Sequence, residues 1–158
     1  MTTSTPRLSD DEMRAWKSFR LMARHLEAHL ARELAQSSAL SMQDYDVLST
    51  IAALPGHRWC TKLLMHHLQW SYSRLSHHLD RMEKRGLVGR SECGHGTGTE
   101  VAATETGLDA IRAASAGHIG AVRSAFIERL EPGDLAMLER LGNAVVGGLP
   151  GPTAARGW

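Results

Sequence analysis

The groups best suited to meeting a polyanion are gathered in one stretch of this 158-residue chain, TKLLMHHLQWSYSRLSHHLDRMEKRGLVGR, residues 61–90. At about 100° per residue, its second half has two faces when wound as a helix. Tyr72, Leu75, Leu79 and Met82 form an apolar stripe, and the opposite face, centred on His77, carries Ser73, Arg74, Asp80, Arg81 and Lys84. All of the latter but Asp80 can donate hydrogen bonds, His77 through whichever ring nitrogen is protonated. A helix with such a face fits the DNA major groove, where Arg, Ser and His reach base edges. The plainer alternative is an ordinary amphipathic surface helix. Charge distribution favours DNA: residues 57–90 hold seven Lys or Arg against two acids, a net of +5, whereas residues 1–56 sum to −1 and residues 91–158 to −3. Concentrated positive charge in a chain of net +1 is the footprint of a phosphate-binding surface.

Other chemistry is weaker. Nine histidines invite a zinc reading, but the adjacent pairs His66-His67 and His77-His78 point about 100° apart on a helix. Each pair then supplies only one ligand to a shared ion. His25 and His29 have i, i+4 spacing, and with His118 they are the metal candidates; zinc is at most an effector, and no cofactor is required. Two cysteines make no disulfide framework, which sets the cytoplasm as the expected compartment. They also read as a poor redox sensor. Cys60 falls beside Trp59 in a buried strand, and Cys93 is on an exposed tip with nothing adjacent to lower its pKa. No nucleophile elbow, phosphate loop or paired-carboxylate motif appears, which argues against an enzyme. No apolar run approaches the roughly 18 residues needed to span a bilayer, and the N-terminus lacks the apolar segment of a secretory signal.

The elements that must hold the basic face follow from caps and periodicity. Residues 1–8 read as a flexible arm. Ser9 and Glu12 form a capping-box pattern opening a long helix to about Ala35, with Met13, Trp16, Phe19, Ala23, Leu26, Leu30 and Leu34 at helical spacing. Ser41 with Asp44 starts a second helix, which Pro55-Gly56 stops. Arg58 to Thr61 reads as a short strand. Thr61 then caps a helix to about Gln69, and Ser71 caps another to about Arg85, ended by Gly86. Two helices joined that tightly read as a helix-turn-helix. Leu87 to Glu92 and Glu100 to Ala103 read as strands around a glycine-rich tip, a β wing. Thr104 caps a helix whose stripe runs from Leu108 to Leu130. Pro132 suits the first turn of a last helix, with Leu135, Leu138, Leu141 and Val145 apolar, and the tail from Gly147 reads as disordered. The fold class is mainly α: a winged helix-turn-helix over residues 41–104 with a two-stranded wing. It is flanked by long helices at 9–35 and 108–147, within a single domain 9–147, and followed by a tail at 148–158. The apolar surplus of the outer helices calls for a partner, most simply a second copy of the chain.

At this point the residues resemble the MarR family of bacterial winged-helix transcriptional regulators, over about residues 9–147. The most specific match is LQWSYSRLSHHLDRMEKRGLVGR at 68–90, followed by the wing and Thr104-Glu105-Thr106-Gly107. The family pattern there is Leu-Thr-x-x-Gly, and Ala103 replaces the Leu. The resemblance implies a homodimer whose outer helices interlock and whose two winged units bind double-stranded DNA at a pseudo-palindromic operator. It implies a repressor released by a small ligand, a metal or an oxidant. By position it assigns the recognition role to Ser71, Ser73, Arg74, Ser76 and His77, phosphate contacts to Arg81, Lys84 and Arg85, and a wing role to Arg90. The usual wing-tip Asp-x-Arg is missing, leaving His95 as a weak substitute for the minor-groove arginine. An effector pocket near Trp16, Phe19, Met42 and Tyr45 is implied, the family binding aromatic compounds in that region. Peroxide sensors of the family carry a cysteine near the start of the first helix, and none is present here. The competing reading is a winged-helix protein-interaction module with little or no specific DNA binding.

Overall fold

The computed structural model describes residues 7–93 and 98–149. His95 and the segments read as the arm tip (1–6) and the end of the tail (150–158) lie outside the described residues. Helix α1 (Asp10–Ser37) opens with the expected capping box: Ser9 Oγ accepts from the Glu12 amide at 3.3 Å and Glu12 returns a carboxylate to the Ser9 amide at 2.7 Å. Helix α2 (Met42–Ala52) repeats the device with Ser41 and Asp44. A 3₁₀ turn (Pro55–His57) leads through Gly56, at φ 71°, into β1 (Arg58–Cys60). Then come α3 (Thr61–Leu68), α4 (Tyr72–Lys84), β2 (Val88–Glu92), β3 (Thr99–Ala103), α5 (Glu105–Ala125) and α6 (Asp134–Gly148).

Side chains from α1, α2, α3, α4, α5 and the sheet meet in one core. Leu34, Leu48, Ile51, Leu64, Leu75, Leu79 and Val101 are fully buried in it. Helix α4 exits by a Schellman turn. Gly86, at φ 71°, donates to Glu83 O at 2.9 Å and Leu87 to Met82 O at 3.0 Å, as its glycine requires. Thr104 caps α5 through the Gly107 amide (3.0 Å) and also donates its hydroxyl to Gly86 O (2.5 Å). This ties the start of α5 to the end of α4. Gly107 is required for that closeness, because a Cβ there would lie 2.0 Å from Leu87 O.

Several boundaries depart from the sequence reading. The wing strands do not stand alone: β1 pairs antiparallel with β3, giving the sheet order β1-β3-β2. Thr61 is not the cap of α3. Cys60 holds that position and Thr61 is the first helical residue, with its hydroxyl buried and unpaired. Pro132 falls short of the last helix, which Gly133 begins at φ 95°. The helix after the wing ends at Ala125, so Leu130 lies beyond it, past a 3₁₀ turn (Ile127–Arg129). Helix α6 runs on through Gly147 and Gly148, into the segment read as tail.

The outer helices are the least covered. The first half of α1 presents Trp16, Phe19, Leu21 and Met22 to solvent. In α6 every residue except Asp134 and Leu138 is exposed, including Leu135, Leu141, Val145 and Val146. Among the described residues nothing covers this apolar surface.

Candidate nucleic-acid interface

Helix α4 is placed by its buried stripe of Leu75, His78, Leu79 and Met82, which turns the opposite face outward. The joint before it is Gln69, at φ 54°, and Trp70. The Trp70 amide bonds to Met65 O at 3.1 Å, and the Gln69 amide and side-chain Nε2 bond to His66 O at 3.3 and 2.6 Å. Ser71 caps α4 by accepting from the Arg74 amide at 3.2 Å. Ser71, Ser73, Arg74, His77, Arg81 and Lys84 are exposed and Ser76 is half-buried. Ser73, Arg74, His77, Arg81 and Lys84 thus share the outward face of α4, with Ser71 at its cap and Ser76 at its margin. Tyr72 does not join the apolar stripe. It is 71% exposed in the first turn of α4, beside the donors, and periodicity alone misassigned it.

Arg74 is held rather than free. Its guanidinium lies 4.2 Å over the Trp70 ring, a cation–π contact that restricts its rotamers at the N-terminal end of α4. Arg81 is anchored at one nitrogen, Nη2 lying 2.9 Å from His78 Nδ1. Because a guanidinium only donates, Nδ1 is the acceptor and the His78 proton sits on Nε2. That Nε2 faces Asp44 Oδ1 at 3.1 Å, off line for a hydrogen bond but close enough for attraction.

Asp44 is the centre of this arrangement and was legible in the sequence only as a cap. It is 2% exposed, accepts the Ser41 amide at 2.9 Å and receives Arg85 Nη1 at 2.8 Å. Burial opposes its ionisation, but His78, Arg85 and Ser41 outweigh burial and hold its carboxyl well below the usual carboxylate range. Arg85 also donates to Ala39 O at 2.8 Å. The guanidinium expected at phosphate is thus bound to α2 and to the loop before it. Arg90, on the first wing strand, is likewise engaged within the chain. It bridges Asp80 (2.5 Å) and Glu83 (2.6 Å), locking the first wing strand to α4, and Glu83 foremost raises its pKa further. Both arginines fix the geometry of the basic unit while neighbouring carboxylates absorb their charge.

The other candidates separate. Trp16 and Phe19 lean on each other in the exposed half of α1, ring centroids 6.0 Å apart. Met42 and Tyr45 instead pack on the core from α2, Tyr45 lying 4.3 Å from the His118 ring. The four do not make one pocket within the chain. His25 and His29 line an open groove of about 420 Å³ with Met22, Leu26, Ala125, Phe126 and Arg129. His118 is elsewhere, against Tyr45, so the three histidines do not converge. Among the described residues no group of three or more His, Cys, Asp or Glu could hold a metal ion, and no helix is long and apolar enough to cross a membrane.

No family model matches the chain, and no curated protein sequence does. Solved structures do. The chain is 33% identical to AbsC, a MarR family transcriptional regulator from Streptomyces coelicolor, with 90% of this chain and 97% of that one covered at a TM-score of 0.85. It is 31% identical to Sco3205, a MarR family transcriptional regulator from the same organism solved in complex with DNA, over 98% and 97% of the two chains at a TM-score of 0.88. The organohalide-sensing regulator RdhR-CbdbA1625, solved with 2,4-dichlorophenol bound, shares the fold at 16% identity and a TM-score of 0.74, over 93% and 88% of the chains.

Proposed function

The chain belongs to the MarR family of transcriptional regulators, and on that premise we propose that it works as a homodimeric repressor binding a pseudo-palindromic operator. The observation that carries the reading is the accessible face of α4, where Ser73, Arg74 and His77 stand outward on a helix locked to the rest of the unit. Sco3205 was solved with DNA, which supports the same role for this surface. Arg74 and its serine and histidine neighbours contact bases; Arg81 and Lys84 contact phosphates. The uncovered apolar residues of α1 and α6 support a second copy as the partner, since that much exposed hydrophobic surface marks an interface.

Release from DNA is proposed to follow binding of a small apolar or aromatic molecule. The groove between α1 and the turn after α5 supplies Phe126, Met22 and Leu26 for such a ligand and Arg129 for a negative group on it. Zinc is the other effector class, through His25 and His29 on the same wall. Selection of bound sequences from a random duplex pool, with and without zinc, tests the reading. Paired half-sites about 10 bp apart are expected, together with a light-scattering mass of twice the chain. Binding to every duplex alike, or a monomer at micromolar concentration, points instead to a protein-interaction module.

A further inference from the structure

His78 is not part of the exposed face of α4, yet its ring meets the groups that hold that face in place. It is 6% exposed and stands on the buried side of the helix. Arg74 precedes it by four residues and Arg81 follows it by three. Both arginines therefore neighbour His78 along one side of α4, about 10 Å apart along the axis. Nδ1 accepts from Arg81 Nη2 at 2.9 Å. The ring also stands at 89° to that of Trp70, with centroids 5.4 Å apart, and Trp70 is the plate over which the Arg74 guanidinium lies at 4.2 Å. One buried imidazole thus stands behind both arginines.

The orientation of the ring is set from α2. Nε2 lies 3.1 Å from Asp44 Oδ1, and among the described residues neither atom has a hydrogen-bond partner. The carboxylate favours the proton on Nε2, which leaves Nδ1 bare to accept. A flipped ring would turn a C–H toward Arg81 and take away its acceptor. Asp44 is itself fixed by the Ser41 amide and by Arg85. A side chain needed only to fill space beside Leu75, Leu79 and Met82 could be aliphatic, with no cost of burying a polar ring.

We propose that His78 is a positioning residue for DNA recognition, holding Arg74 through Trp70 and Arg81 through Nδ1 in the rotamers they use on DNA. The inference rests on the reading of α4 as the DNA-binding helix. A long side chain ordered before binding loses less freedom on binding, which gains roughly 2–10-fold in affinity for each one. Two separable features of the ring do this. Its aromatic body supports Trp70, and so base readout by Arg74; its bare nitrogen supports Arg81, and so the phosphate contact.

Substitution takes the two features apart. In His78→Asn the amide oxygen stands in for Nδ1 and the ring is lost; in His78→Phe the ring stays and the acceptor is lost. Affinities of the full-length proteins are measured for a duplex selected from a random pool and for a scrambled duplex of the same composition, at several salt concentrations. Circular dichroism checks that each variant is folded. His78→Asn should narrow the ratio of the two affinities by ~2–10-fold and leave the salt slope unchanged. His78→Phe should keep the ratio and weaken both duplexes alike by ~2–10-fold. Trp70→Leu removes the plate, spares His78 and should reproduce the His78→Asn profile, so the test stands even where a change at the buried position unfolds the chain. Nuclear magnetic resonance of wild type carrying isotope-labelled histidine should find the His78 proton on Nε2. Loss of both properties together in the folded Asn and Phe variants, loss of neither, an unchanged ratio in Trp70→Leu, or a proton on Nδ1 would overturn the proposal. Wild type that binds both duplexes alike overturns the function proposed above and the inference with it, an outcome read without any variant.

Discussion

Replacing Asp44 with asparagine keeps its shape and removes its charge, and the structure indicates why this should be costly. The side chain is surrounded by donors: the Ser41 amide, Arg85 Nη1 and His78 Nε2. In the Asp44→Asn variant the amide oxygen can keep the cap, but the new NH₂ group has no acceptor to face. Leaving a buried donor unpaired costs roughly 1–3 kcal/mol. The lost attraction to Arg85 adds only about 1 kcal/mol, because that side chain is 43% exposed and screened by water. Together the loss is about 2–4 kcal/mol, or a melting-temperature drop of roughly 5–15 °C for a chain of this size. Denaturant and thermal unfolding at one fixed protein concentration measure it, since assembly would otherwise shift the midpoint. The carboxyl is depressed in the folded state, so its contribution is complete above the ordinary aspartate pKa of about 3.9 and is lost as pH falls through the lower folded value. The gap between wild type and variant should therefore hold at neutral pH and begin to close below about pH 4. A variant within about 0.5 kcal/mol of wild type at neutral pH, or a gap that widens in acid, refutes the reasoning.

Two neighbouring glycines should behave differently. Gly107→Ala drives a Cβ into Leu87 O and should cost about 3 kcal/mol or more, whereas Gly86→Ala, with open space around it but φ of 71°, should cost about 1 kcal/mol; denaturant midpoints separate them. Arg74→Ala should compress the gap between operator and random duplex by roughly 1–3 kcal/mol. Lys84→Ala should leave that gap nearly unchanged and lower the salt slope by about one unit. Titrations at several salt concentrations decide both, and an equal loss on both duplexes for Arg74→Ala would move base readout to Ser73, Ser76 or His77.

What the sequence determined is whatever the chain settles over one turn. Ser9 with Glu12, Ser41 with Asp44, Ser71 and Thr104 each cap the helix they were expected to cap, because a cap joins residues three apart whatever surrounds them. Gly86 ended α4 as read, because only a residue at ease with positive φ closes a Schellman turn. Periodicity likewise placed the outward face of α4. It failed at Tyr72, where the helix begins beyond the edge of the core and an apolar position finds nothing to bury against. Start signals failed at Thr61, read as a cap but first in α3 after Cys60, and at Pro132, read as first-turn but lying before the Gly133 cap of α6.

Tertiary structure decided which distant groups meet. An arginine in a basic run looks the same in sequence whether it faces phosphate or a buried carboxylate. Only the packing of α2 against the end of α4 sends Arg85 to Asp44, and only the return of β2 along α4 sends Arg90 to Asp80 and Glu83. The need for glycine at 107 exists because α5 starts against Leu87. Partners of this kind are separated by tens of residues, and the fold brings them together through burial that no local spacing encodes.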